Sequence, residues 1–111
     1  LCDFTAPDGE SIRQVADRVW NGVRAVVKKE NVPGKEKVLC MTTHGCALRC
    51  FFYRAFGWPL DRIDEVPVSD NTGISEVRFA DDGTCQVVRI GDASHLTKAL
   101  SVQKNVKWGR A

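Results

Sequence analysis

The sequence holds 111 residues, 43% of them apolar and 27% charged, with a formal net charge of +2. That length suits a single domain with its own hydrophobic core, and the composition is that of an ordinary globular chain. So small a charge argues against a nucleic-acid partner, and no run approaches the roughly 18 to 20 apolar residues of a membrane span.

Residues 1 to 9 read as a loop, punctuated by Pro7, Asp8 and Gly9. Asp3, Asp8 and Glu10 break up this segment, so it does not read as a signal peptide. A helix then begins near Ser11, where Ser11 and Gln14 have the spacing of a capping box. Val15, Val19, Val23, Val26 and Val27 recur on one stripe with Ile12 and Trp20 beside it, while Arg13, Asp17, Arg18, Arg24, Lys28 and Lys29 take the other side. Asn31-Val32-Pro33-Gly34 ends the helix.

Val38-Leu39-Cys40-Met41-Thr42-Thr43 is a continuous apolar run bounded by turn signals, the pattern of a strand buried on both faces. His44-Gly45 turns the chain, and a second helix follows from about Cys46 to Phe56, offering Leu48, Phe51, Phe52 and Ala55 for burial. Gly57 is placed to stop it. Residues 61 to 70 form a mixed connection with room for one helical turn. Ile74, Val77 and Phe79, then Cys85, Val87, Val88 and Ile90, read as two strands around an Asp81-Asp82-Gly83 hairpin turn. Ser94 to Leu100 is long enough for a short last helix. Lys98, Lys104, Lys107 and Arg110 make residues 98 to 111 a basic tail, read as a solvated terminus. Helix, strand, helix and hairpin in that order predict an α/β domain over residues 1 to 111.

Five cysteines, Cys2, Cys40, Cys46, Cys50 and Cys85, make an odd count, three of them crowded into one short segment. This pattern points to a reducing cytoplasm rather than a secreted disulfide framework, with the thiols packed as small hydrophobes.

The stretch around His44 carries the chemistry. In an open α/β sheet, ligands bind beyond the carboxyl ends of the strands, where His44 would sit. The free N–H groups and positive dipole end of the following helix suit a phosphate or another oxyanion. Gly45 is expected to permit the tight turn and close ligand approach. On these grounds alone a structural histidine is as good a reading as a functional one.

Thr42-Thr43-His44-Gly45-Cys46-Ala47-Leu48-Arg49 resembles the second-histidine motif of the histidine phosphatase superfamily, the phosphoglycerate-mutase-like proteins. Pro7-Asp8-Gly9-Glu10-Ser11 is similar to that family's Gly-Glu-Ser helix start. Asp70-Asn71-Thr72, the strand from Ile74 to Phe79, the Asp-Asp-Gly turn and Ile90-Gly91-Asp92-Ala93-Ser94-His95-Leu96 resemble its closing section. Four such segments, in order, cover the chain to about Leu96.

The resemblance implies a phosphate pocket lined by two histidines and two arginines. One histidine attacks phosphorus and carries the phosphoryl group; the other contacts its oxygens. His44 matches the second, which hydrogen-bonds the phosphoryl group with help from the Gly45 and Cys46 amides; Asn71 is a candidate polar contact at the rim. The implied fold is part of a three-layer α/β/α sandwich with a mixed, mostly parallel sheet. The nucleophile's Arg-His-Gly motif is absent, for His44 and His95 are the only histidines, and so are the following pocket arginine and the acid that protonates the leaving group. Glu10 matches the helix start, not that acid, and is expected to steady the first turn. His95 is expected to be structural, and Arg49 to face solvent or a surface ion pair.

The chain therefore reads as the C-terminal half of such a fold, lacking its N-terminal strand. Residues 38 to 43 would then present an apolar edge to the chain's own N-terminal half or to a second copy. The expected substrate is a phosphorylated small molecule, hydrolysed rather than mutated because the closing section is short, with no cofactor or metal, no nucleic acid and no membrane. One alternative is a catalytically inactive binding or scaffold module on the same fold. A weaker one is a zinc site from Cys40, His44, Cys46 and Cys50, which are the right ligand types but lack Cys-x2-Cys spacing. A cysteine phosphatase is excluded because the sixth residue after Cys46 is Phe52 and after Cys40 is Cys46, where its loop needs arginine.

Overall fold

A computed structural model describes residues 4–101. Helix α1 (Ile12–Glu30) starts as the sequence specifies. The Ser11 hydroxyl accepts from the Gln14 N–H at 3.1 Å and the Gln14 side chain accepts from the Ser11 N–H at 2.8 Å, closing the capping box. Lys28 and Lys29 occupy its last turn, where the dipole favours cations. The apolar stripe is real but shorter than expected: Val15, Val19, Trp20 and Val23 pack on the core, whereas Val26 is exposed. The one fully enclosed residue of α1 is Ala16, too small to stand out in a hydrophobic pattern.

Helix α2 (Gly45–Phe56) follows, and Gly57 ends it in the left-handed conformation at φ 69°. The Gly57 and Trp58 amides fold back onto the Arg54 and Tyr53 carbonyls, as such a cap requires. Cys50, Phe51, Phe52 and Tyr53 are all buried, so α2 is covered on more than one side, and the expected Leu48 and Ala55 are only half-buried. Trp20 of α1 lies 5.4 Å from Phe51, which meets Phe52 edge-on at 5.3 Å; Phe56 stacks on Trp58 at 4.6 Å. The anticipated helical turn is a 3-10 helix, Leu60–Glu65, and it lowers Leu60 and Ile63, with Val66 behind them, onto the same cluster.

Strands β1 (Ile74–Phe79) and β2 (Cys85–Asp92) form an antiparallel hairpin, with Val77 opposite Val87 and Phe79 opposite Cys85. Gly83 takes φ 88° at the turn and its N–H donates to the Ala80 carbonyl at 2.9 Å, a three-residue loop of the bulged kind. A lone hairpin is marginal in water; here Val77, Phe79, Val87 and Ile90 anchor it to the helices. Ser94 to Leu100 contains only a short 3-10 turn, Lys98–Leu100. The expected basic tail starts exposed at Lys98 to Leu100, but Ser101 beyond them is buried and its hydroxyl donates to Asp70 at 2.6 Å; residues 102–111 lie outside the described residues.

The molecule is α/β, but one expected strand is missing. Residues 38–43 form no strand and are exposed throughout, Val38 by 90%. A strand exists only through the neighbour with which it exchanges hydrogen bonds, and none of the described residues offers one. The sheet is accordingly two-stranded and antiparallel, and a mostly parallel sheet has no counterpart among the described residues.

Candidate functional site

His44 is the N-cap of α2, with extended backbone angles of φ −119° and ψ 157°. Its carbonyl accepts the first helical bond, from the Leu48 N–H at 2.9 Å, while its imidazole makes no capping bond. Gly45 and Cys46 follow as the first helical residues, and no acidic side chain stands in the first turn. Their amides belong to the set that an α-helix leaves without internal partners. His44, Gly45 and Cys46, three of the four predicted site residues and consecutive in the chain, are all exposed at an open, electropositive helix start. Asn71 lies exposed in the turn before β1, and no hydrogen bond joins it to His44 among the described residues. Gly45 is not needed for the turn: it has no positive φ, and a Cβ there would meet nothing within 4 Å.

Both arginines of α2 are committed away from this end. Arg49 is neither solvated nor held mainly by an ion pair: its Nε donates to the Val66 carbonyl at 2.9 Å and its Nη2 to the Asp64 carbonyl at 2.8 Å. Its guanidinium thus ties the end of the 3-10 helix to α2, with the Asp64 carboxylate a looser neighbour at 3.8 Å. Nothing in the sequence signals this clamp, since its acceptors are backbone carbonyls that any residue carries. Arg49→Ala is expected to lower unfolding stability in urea by about 2 kcal/mol, and Arg49→Lys to recover little of it because the planar fork is lost. Arg54 instead reaches Asp17 of α1 at 3.4 Å.

Glu10 does not steady the first turn of α1; it pairs with Arg18 through two bonds of 2.9 and 2.8 Å. That bond holds the Glu10 carboxyl below its ordinary range. His95, expected to be structural, is exposed, and its Nε2 lies 2.9 Å from the Thr72 hydroxyl. Thr72 occupies φ 67°, rare for a β-branched residue, beside the candidate Asn71.

Of the thiols, Cys40 and Cys46 are exposed, while Cys50 is fully enclosed. Burial pushes the Cys50 thiol up to about 11, with the neighbouring Cys46 adding to the shift. Cys40 and Cys46 are therefore not packed as small hydrophobes. No group of three or more His, Cys, Asp or Glu side chains among the described residues is placed to hold a metal ion.

Asp92, where β2 ends, is held down to about 2, first by the backbone N–H of Ser94, then by the Ser94 side chain and by Arg89, which donates at 2.7 Å. Its folded value lies below the ordinary 3.8, so its contribution to stability is present above that value and is lost as pH falls toward about 2. Asp92→Asn is expected to flatten the acid limb of a thermal-melting profile over that window.

A cavity of about 500 Å³ lies elsewhere, between the second half of α1 and the hairpin turn, lined by Arg24, Lys28, Phe79, Asp81 and Asp82 among others. No described helix is long and apolar enough to cross a membrane.

The family model for the histidine phosphatase superfamily (branch 1) matches residues 1–93. No curated protein and no solved structure matches the chain.

Proposed function

The chain belongs to the histidine phosphatase superfamily (branch 1), and from that premise we propose that it binds the phosphoryl group of a small phosphate monoester at the start of α2, for hydrolysis. His44 donates to a phosphoryl oxygen from its protonated imidazole, the Gly45 and Cys46 amides assist, and Asn71 serves the rim. The observation that carries this reading is the start of α2 itself: an exposed histidine with no capping bond, followed by a helix whose first turn holds no competing carboxylate.

The phosphoryl group is carried on a histidine outside these 111 residues. That nitrogen attacks phosphorus, the ester oxygen leaves with a proton, and water then releases phosphate. His44 and the helix amides hold negative charge as it shifts between oxygens. In the complete cytoplasmic enzyme the chain supplies the C-terminal part of a three-layer sandwich with a mostly parallel sheet. Residues 38–43 become a strand against the chain's own N-terminal half or a second copy; the exposure of Val38, Leu39 and Met41 supports that pairing.

A p-nitrophenyl phosphate assay tests this. The chain alone is expected to give no turnover, and addition of a segment carrying the Arg-His-Gly strand to restore it. Turnover by these 111 residues alone would overturn the proposal. One observation favours a second reading, an inactive phosphate-binding module: the only other histidine, His95, is bound to Thr72. Binding of inorganic phosphate without turnover in any reconstitution would mark that case.

A further inference from the structure

The first two turns of α2 carry two thiols that phosphate chemistry does not use. Cys46 is the second helical residue and exposed; Cys50, four residues on, is enclosed in the core. The four-residue spacing puts both on one face of the helix, and their thiols are close enough to interact. We propose that Cys46 and Cys50 form a peroxide-sensitive thiol pair, in which Cys46 is oxidised first and Cys50 closes a disulfide that unwinds the start of α2.

Access sets the order of events. Cys46 lies open to solvent at a helix start, where hydrogen peroxide can reach it. Cys50 is shielded, and its raised titration keeps it protonated in the resting chain. The Cys46 sulfur attacks one oxygen of hydrogen peroxide; an S–O bond forms, the O–O bond breaks, and the departing hydroxide takes up a proton as water. The Cys50 sulfur then attacks the Cys46 sulfenic acid. The S–S bond forms, the S–O bond breaks, and a second water leaves with the Cys50 proton, so two thiols lose two electrons to one peroxide.

Geometry dictates the consequence. Residues four apart on a helix have Cα atoms about 6 Å apart, within the roughly 4.4–6.8 Å that disulfides span. Their Cβ atoms, about 5–6 Å apart, must close to roughly 3.5–4.5 Å. The turn therefore has to loosen, and at the helix end this costs only the first few helical bonds, such as that from the Leu48 N–H to the His44 carbonyl, because the first amides have no internal partners. Loosening scatters the Gly45 and Cys46 amides, so oxidation would also weaken oxyanion binding; this consequence, unlike the disulfide, rests on the phosphate reading above.

The test uses the full chain with Cys40→Ser, treated with hydrogen peroxide, alkylated and digested with trypsin. Cleavage after Arg49 separates the two thiols, so the bond links the peptide ending at Arg49 to the peptide Cys50 to Arg54. The expected product is that linked pair, two hydrogens lighter than the sum of its reduced parts. Cys50→Ser is expected to stop at a Cys46 sulfenic acid, trapped by dimedone. Should Cys40→Ser not fold, fragmentation of the linked peptides from the unsubstituted chain locates the same bond. Cys46 oxidised without a link to Cys50, or linked to Cys2 or Cys85 instead, would overturn the proposal. Inorganic phosphate is expected to bind about tenfold more weakly to the oxidised form and to regain affinity on reduction. A link that forms while phosphate binds neither form would refute the phosphate reading and uphold the thiol pair.

Discussion

Phe52→Ala is expected to cost about 3–5 kcal/mol, a large part of the roughly 5–15 kcal/mol that holds a domain of this kind together. Phe52 is only 1% exposed and touches Phe51 edge-on at 5.3 Å, with Phe56 6.4 Å beyond. Removing the ring loses its burial and leaves a void that α1, α2 and the 3-10 helix cannot close together without losing their other contacts. Among the described residues the enclosed apolar core comprises only eight side chains, Ala16, Cys50 to Tyr53, Leu60, Ile63 and Val66, so few neighbours remain to compensate. Urea titration followed by tryptophan fluorescence measures the loss. Val38→Ala, at a residue 90% exposed, is the control and is expected to stay within about 0.5 kcal/mol. Equal midpoints for the two variants would mean that the core does not lie where these contacts place it.

His44→Ala is expected to leave the melting temperature nearly unchanged and to cut the turnover of the reconstituted phosphatase by about 10²–10³-fold. The separation of the two effects follows from geometry. The imidazole is exposed and caps nothing, so the fold loses little with it, and the backbone carbonyl that begins α2 remains. On the proposed reading the phosphoryl group, in contrast, loses a hydrogen-bond donor where charge shifts during transfer. His44→Asn keeps one neutral donor and is expected to fall between the alanine variant and the unsubstituted chain. Unchanged turnover in His44→Ala would remove the histidine from the phosphate site.

The two kinds of side chain also differ in how far the sequence reveals them. Ser11 and Gln14 close their capping box three residues apart, Gly57 takes the left-handed angle where the helix must stop, and Gly83 turns the hairpin where Asp81-Asp82-Gly83 announces it. These are local interactions, decided by groups a few bonds apart, and they could be read without a fold. The His44-Gly45-Cys46 triplet is local in the same sense, and the family match over residues 1–93 agrees with the motifs that pointed to it.

Other features depend on partners distant in sequence. Arg49 was expected at the surface, but it finds the carbonyls of Asp64 and Val66 only because the 3-10 helix folds back against α2. Ala16 is enclosed only because α2 packs over α1. Val38 to Thr43 has the composition of a buried strand yet forms none, since composition supplies the side chains of a strand and not its hydrogen-bonding neighbour. The sequence by itself determined where the helices and hairpin begin and end and which histidine stands at a helix start, because capping, turn geometry and periodicity are short-range. Only the tertiary structure decided which side chains are enclosed, where each arginine is spent and that the apolar run stays unpaired, because burial and strand pairing depend on which distant segments come to lie alongside.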